Sequence, residues 1–296
     1  MSIVIKGLNQ KVNMVTLTTP DLPDAIKRLH TPPKQLFLSS DSLDTILSRP
    51  RIGIVGSRKV TPYGRAVTES LSSDLASKGV VIVSGLALGI DSIAHASCLR
   101  AGGTTVAVLP AGLDKICPTS HTQLARDIVS SGGLLVSEYP ERTAPLRPNF
   151  VARNRIIAAL SEGLLIPEAA IASGSLHTAR FALELGIPVF AVPGPITSPM
   201  SEGTNNLIKS GAIPVTGVED ILTALNWQDT ASQKSDYSAH SQEERVILEL
   251  IQSGTSDGHE LLAASELEPA AFNQALTMLE ITGAIRPLGA NHWALG

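Results

Sequence analysis

The side chains that this sequence offers for chemistry are cations, hydroxyls and glycines rather than a nucleophile with its base. The stretch RIGIVGSRKVTPYG (51–64) runs from an apolar strand pattern into a turn carrying Gly56, Ser57, Arg58 and Lys59. A turn between a strand and a helix can aim backbone N–H groups at an anion, and the helix N-terminus adds partial positive charge. Arg58 would bring a planar fork suited to phosphate; in a plain structural turn it would be a surface arginine only. In the second turn, SGLALGID (84–91), Gly85 and Gly89 flank a tight segment ahead of a helix. Asp91 and His95 stand four apart on one face of that helix. They read either as a metal or acid–base pair or with Asp91 as an anchor for the helix end or a neighbouring loop. No third ligand or organised base accompanies them, which favours the anchor.

A third segment, ERTAPLRPNFVARNR (141–155), gathers Arg142, Arg147, Arg153 and Arg155 around Phe150, with Asn154 between the last two arginines. Its two prolines are expected to hold the chain extended ahead of a helix over 150–161. Arginines with an interleaved aromatic suit single-stranded nucleic acid, cations following the backbone and the ring stacking a base. The alternative makes Phe150 a core anchor and pairs Arg153 or Arg155 with an internal carboxylate. In ASGSLHTAR (172–180), Ser173, Gly174 and Ser175 precede a helix and again form an anion nest. His177 is near, but no G-x-S-x-G elbow frames a serine nucleophile. EGTNNLIKSGA (202–212) adds Gly203, Asn205 and Lys209 at the edge of another strand. There is no G-x-G-x-x-G after the first strand and no acidic residue closing the second, which disfavours a dinucleotide. Nor is there a P-loop. The expectation is binding rather than catalysis, with no catalytic residue, no cofactor and no metal site.

The elements that must position these loops are legible from the pattern. Short apolar runs read as strands at 51–55, 80–84, 105–110, 134–138, 163–167, 188–192 and 213–216. They alternate with helices near 63–78, 90–101, 119–131, 150–161, 175–186, 204–210 and 218–226. This is the signature of an α/β fold with a doubly wound, mostly parallel sheet. Thr61-Pro62 reads as a helix N-cap followed by proline at the first helical position. Gly79 and Gly186 stand where left-handed C-caps are wanted. Residues 1–50 read as an N-terminal extension containing a short strand at QLFLSS, 51–226 as the Rossmann-like domain and 227–240 as a polar linker. Residues 241–296 read as three helices and a wing, a small winged-helix domain.

Composition bounds the partners. The chain has 296 residues, 43% hydrophobic and 17% charged, enough for one large and one small core. Residues 51–226 carry 14 basic and 13 acidic side chains, whereas 241–296 carry two basic against eight acidic. A globally basic nucleic-acid binder is excluded; a local basic patch is not. Cys98 and Cys117 fit no redox or zinc spacing. No signal-peptide pattern and no apolar run long enough to span a bilayer is present, so the expectation is a soluble, cytoplasmic protein without a membrane partner.

Several long motifs in order carry a resemblance: IVGSRKVTPYG, VSGLALGIDSIAH, TVAVLPAGLDKICP, LLVSEYP, RPNFVARNRIIAALS, EAAIASGSLHTARFALELG and VFAVPGPITSPMSEGTNNLIKSGA, covering residues 51–225. The chain resembles the DNA-processing protein A (DprA/Smf) family. The resemblance implies an extended Rossmann-like domain that binds single-stranded DNA, forms homodimers, protects incoming DNA and loads the RecA recombinase in natural transformation, with no enzymatic activity. It assigns phosphate contact to Gly56, Ser57 and Arg58, with Lys59 in the same loop and Gly85 and Gly89 in the next. It assigns backbone and base contact to Arg147 and Phe150, places Arg153, Asn154 and Arg155 in an RNR element lining the pocket, and makes Ser173, Gly174, Ser175 and Lys209 its far wall. The sequence departs from the family pattern at Leu88 and Ile187, where arginine is common, and at Pro167. Losing two cations should flatten the salt dependence of binding. The competing expectation is an enzyme on a nucleotide of the phosphoribohydrolase type, which lacks its glycine-rich loop here: Pro193-Gly194-Pro195 has no glycine pair. The acidic winged helix, whose third helix has no cation, is expected to contact protein rather than DNA.

Overall fold

The computed structural model describes residues 2–4, 11–227, 241–282, 284–289 and 291–295. The chain divides into two compact units, Met1–Ala231 and Ser232–Gly296. In the first, β1 (Ser2–Val4) and β2 (Lys11–Asn13) form an antiparallel ribbon. There follow β3 (Val15–Thr18), α1 (Asp24–Lys27), β4 (Gln35–Leu38) and α2 (Leu43–Leu47). The regular alternation then begins: β5 (Arg51–Ile54), α3 (Pro62–Ser77), β6 (Val81–Ser84), α4 (Ile90–Arg100), β7 (Thr105–Leu109), α5 (Thr122–Ser130) and β8 (Leu134–Ser137). It continues with α6 (Arg147–Ala159), β9 (Gly163–Ile166), α7 (Ser175–Glu184), β10 (Val189–Ala191), α8 (Glu202–Lys209), β11 (Ile213–Pro214) and α9 (Val218–Ala224).

Strands β3 to β11 form one sheet in the order β11-β10-β9-β5-β6-β7-β8-β4-β3. It is parallel from β11 to β8, and β4 and β3 add to its edge antiparallel. The pleat sorts the apolar runs onto two covered faces. Val81, Val83, Val106, Val108, Leu134 and Val136 face the layer of α6 and α7. Ile52, Ile54 and Ile82 pack beneath α3, α4 and α9, while Ala107, Leu109 and Leu135 pack beneath α5. Thr61 caps α3, its hydroxyl accepting from Gly64 N at 3.1 Å. Gly79 and Gly186 take φ of +78° and +70°, as expected of C-caps.

The order of strands reverses between β5 and β9, so the chain leaving their C-terminal ends turns to opposite faces of the sheet and opens a crevice at the switch point, where sheets of this type receive ligands. The second unit has its own core, built by α10 (Gln242–Gln252), α11 (Gly258–Ser265), α12 (Pro269–Ile281) and the hairpin of β12 (Ile285–Gly289) with β13 (His292–Leu295). That is a winged helix, as the pattern of 241–296 indicated. The polar linker expected at 227–240 lies outside the described residues apart from Trp227.

Candidate functional site

A cavity of about 600 Å³ occupies the switch-point crevice. The loop after β5 supplies Gly56, Ser57, Arg58 and Lys59 to its wall. The first two turns of α6 supply Phe150, Arg153 and Asn154, and the start of α7 supplies Ser173, Gly174 and Ser175. Ten of the expected site residues therefore meet around one cavity, although they come from three loops spread over more than a hundred residues of chain.

The expected roles divide once the hydrogen bonds are read. Ser57 is buried and its hydroxyl closes its own turn, donating to Lys59 O at 2.7 Å and accepting from Lys59 N at 3.1 Å. Arg58 and Lys59 are thereby turned outward and exposed. The Arg58 guanidinium stacks over the Phe150 ring, 5.3 Å from its centroid. Phe150 is half-buried and belongs to none of the core clusters, so it is not the core anchor.

Arg153 lines the cavity as expected, but from beneath. It is 3% exposed, and Nη1 donates to Gly85 O at 2.6 Å and to Val108 O. Burial lowers its pKa to about 10, opposed by Asp91 beside it, so it remains charged at neutral pH and forms the cavity floor rather than a free phosphate contact. Asp91 is the anchor expected from the sequence, accepting from Gly85 N at 3.1 Å and Ala87 N at 3.4 Å. Burial, the larger effect, pushes its carboxyl upward, and Arg153 pulls it back. His95 Nδ1 lies 2.7 Å from Thr105 Oγ1, its buried Nε2 has no hydrogen-bond partner among the described residues, and burial drives its pKa to about 3.

Gly85 and Gly89 are a correction, for neither lines the cavity. A Cβ on Gly85 would lie 2.4 Å from the Arg153 guanidinium; one on Gly89, whose φ is +86°, would lie 2.2 Å from Ser57 O. Both glycines exist to let the two loops and Arg153 close together. Arg155 is a second correction. It makes a two-pronged ion pair with Glu138 at 2.8 and 2.6 Å and donates to Thr31 O at 3.0 Å, facing away from the cavity. The alternative of an internal carboxylate partner holds for this arginine. Lys209 ends α8, whose first turn abuts Ala169 O through Gly203 N at 2.8 Å. It therefore stands roughly 10 Å along the helix from the cavity end. Arg147 does not line the cavity, but it opens α6 and shares a face with Phe150, Val151 and Asn154 at helical spacing. The segment before 150 is not extended as expected: Arg147 and Pro148 are already helical, since the first turn needs no N–H from proline.

Three contributors were missed. Glu168 is buried and accepts from Thr61 N at 3.0 Å and from the Thr61 hydroxyl, and its own carbonyl accepts from Ser57 N at 2.9 Å, so it fixes the first loop from beneath. Thr178 and Met200 line the cavity. Thr178 lies one turn beyond Ser175, a signal that helical spacing carries, and its buried Oγ1 has no hydrogen-bond partner among the described residues. The nest at the start of α7 is partly spoken for: Leu176 N and His177 N donate to Ser173 O and Gly174 O at 3.1 and 3.3 Å. No group of three metal-ligating side chains occurs among the described residues, and no described helix is long and apolar enough to cross a membrane.

A Rossmann-like domain with a cationic, aromatic-bearing cavity at its switch point, followed by a winged helix, defines the class. The comparisons with known proteins then specify it. The family model described as DNA recombination-mediator protein A matches residues 13–226, and the DprA winged helix domain matches 231–291. The chain belongs to this DprA/Smf family. It is 48% identical over 197 residues to Protein Smf of Escherichia coli, an alignment spanning 65% of this chain and 53% of that protein, so the chain spans about half the length of that relative. It is 42% identical over 217 residues to the DNA processing protein DprA of Bacillus subtilis, covering 73% of this chain and 72% of that one. Among solved structures it is similar to DNA processing protein A of Helicobacter pylori, the subject of a study of its single-stranded DNA binding mode. The TM-score is 0.65 at 35% identity, covering 73% of this chain and 97% of that one.

Proposed function

We propose that this protein binds single-stranded DNA at the switch-point cavity and acts as a recombination mediator, delivering the strand to a RecA-type recombinase, without enzymatic activity of its own. Its setting would be the cytoplasm, its assembly a homodimer and its pathway the uptake of transforming DNA. The single observation that carries the binding mode is Arg58 stacked on Phe150 at the mouth of the cavity. That pair offers a π-face to a base and a cation to the adjoining phosphate. The family membership and the single-strand binding of the Helicobacter pylori relative support the same reading.

Within the site, Arg58, Lys59 and Arg147 would meet phosphates, and Phe150 a base. Gly56, Ser57, Asn154, Ser173, Gly174 and Ser175 would shape the wall. Arg153, Arg155, Gly85 and Gly89 would hold the loops in place. The test is fluorescence anisotropy of labelled single-stranded and duplex oligonucleotides across a salt series. A salt-sensitive preference for the single strand is expected, weakened by Arg58→Ala. Equal affinity for both forms, or none for either, would overturn the reading.

A further inference from the structure

Eight large apolar side chains are exposed among the described residues, and six of them stand at the edge of the sheet where the cavity opens. Leu88 (50% exposed) follows β6, Leu146 and Val151 flank the start of α6, Ile171 follows β9 and Ile196 (96% exposed) follows β10. Tyr63 joins them through its hydroxyl, which donates to Pro193 O at 2.7 Å. Single exposed apolar residues need no explanation, but six along one sheet edge, with Val151 on the cavity wall itself, do.

The charges around them are one-sided. The segments 56–62, 85–90, 146–151, 170–175 and 193–201 contain no Asp or Glu, in a chain with 27 of them, and they do contain Arg58, Lys59 and Arg147. The carboxylate on the cavity wall, Asp91, is buried beside Arg153, so these exposed segments set aliphatic side chains among cations, which suits a polyanion that also carries apolar faces. Duplex DNA turns its base faces inward and would set phosphates against the leucines and isoleucines. A single strand exposes both kinds of group. From the loop after β6 to the loop after β10 the sheet takes three inter-strand steps, about 14 Å, which is wider than one base.

We propose that the aliphatic rim is a platform for splayed bases: Leu88, Val151, Ile171 and Ile196 pack against nucleobases flanking the one at Phe150, while the phosphates pass Arg58, Lys59 and Arg147. The proposal rests on the single-strand reading. It makes Leu88, the position of a common family arginine, a base contact rather than a lost phosphate contact. Apolar packing has no donor or acceptor code, so the platform selects single strands without selecting sequence.

The test uses the full chain with two labelled probes, a twenty-nucleotide oligo-dT and an abasic oligomer with the same number of phosphates. The expected results are that oligo-dT binds at least about tenfold more tightly, and that Leu88→Ser and Ile171→Ser each weaken it by about 3- to 10-fold while leaving the abasic probe within about twofold. Equal binding of the two probes overturns the platform, as does a loss that is the same for both or an oligo-dT affinity that no rim substitution changes. If the substitutions instead lower the molecular mass in light scattering and leave oligo-dT affinity intact, the rim is a self-association surface and the platform is refuted. Absence of binding to both probes brings down the single-strand reading itself, a separate result from loss of discrimination between them.

Discussion

Replacing Arg153 with alanine should cost stability first and nucleic-acid affinity only through it. The guanidinium sits 3% exposed between the ends of β6 and β7, with Gly85 O and Val108 O as acceptors. The substitution orphans those carbonyls. It also leaves the buried Asp91 carboxylate without its principal counter-charge, since Arg153 is the largest of the influences that hold that carboxyl down. Removing one partner from a buried charged pair costs about 3–5 kcal/mol, a large share of the roughly 5–15 kcal/mol that separates a native domain from its unfolded state. At about 2–4 °C per kcal/mol for a domain of this size, the melting temperature should fall by about 10 °C. Arg58→Ala, on an exposed side chain, should stay within about 0.5 kcal/mol of the parent. The assay is urea unfolding followed by circular dichroism, with oligonucleotide affinity measured on the folded fraction. Arg153→Met combined with Asp91→Asn should recover part of the loss, because both charges are then absent. A variant at Arg153 that melts like the parent yet no longer binds single strands would refute the argument and return Arg153 to the phosphate path.

Phe150→Ala should weaken single-strand binding by about 1–3 kcal/mol with little change in melting temperature, since the ring is outside the core; calorimetric melting beside anisotropy checks both. Three exposed cations, Arg58, Lys59 and Arg147, serve the cavity, so the slope of log affinity against log salt should be about −2; a slope of −4 or steeper would mean that further cations reach the strand. His95 is held neutral, with a pKa near 3 against 6.5 for the free side chain. The unfolded chain therefore takes up the extra proton, and stability present above pH 6.5 is lost as pH falls toward 3, at up to about 1.4 kcal/mol per pH unit. His95→Gln should flatten that limb in urea midpoints taken from pH 7 to pH 4. Truncation after residue 240 should leave duplex affinity unchanged at moderate salt, because α12 carries no basic residue; a measurable fall would reverse the assignment of the winged helix to protein contacts.

What was legible in the sequence follows from what is locally encoded. Strands buried on both faces must be apolar throughout, so the runs VIVS, TVAVL, LLVS and GLLI announce themselves, and Thr61-Pro62 and the positive-φ Gly79 mark helix ends through backbone requirements that only a few residue types meet. The parallel sheet was readable for the same reason. That β4 continues it past β8 was not, because an antiparallel edge strand is specified by its partner and not by its own short pattern. At the site, position along the chain correctly brought Arg58, Phe150, Asn154 and Ser173 to one edge, since every loop after a parallel strand opens there. It could not say which way a side chain points. Arg153 and Arg155 are two residues apart on one helix, about 200° around its axis, which is enough to send one to the Gly85 and Val108 carbonyls and the other to Glu138. The sequence shows a cluster of four arginines; α6 carries three of them and divides those, turning Arg153 and Arg155 to internal partners and leaving Arg147, at the exposed first turn, to face a ligand. A motif rich in cations thus reports the total needed both to build a cavity and to fill it, and burial decides which arginine does which.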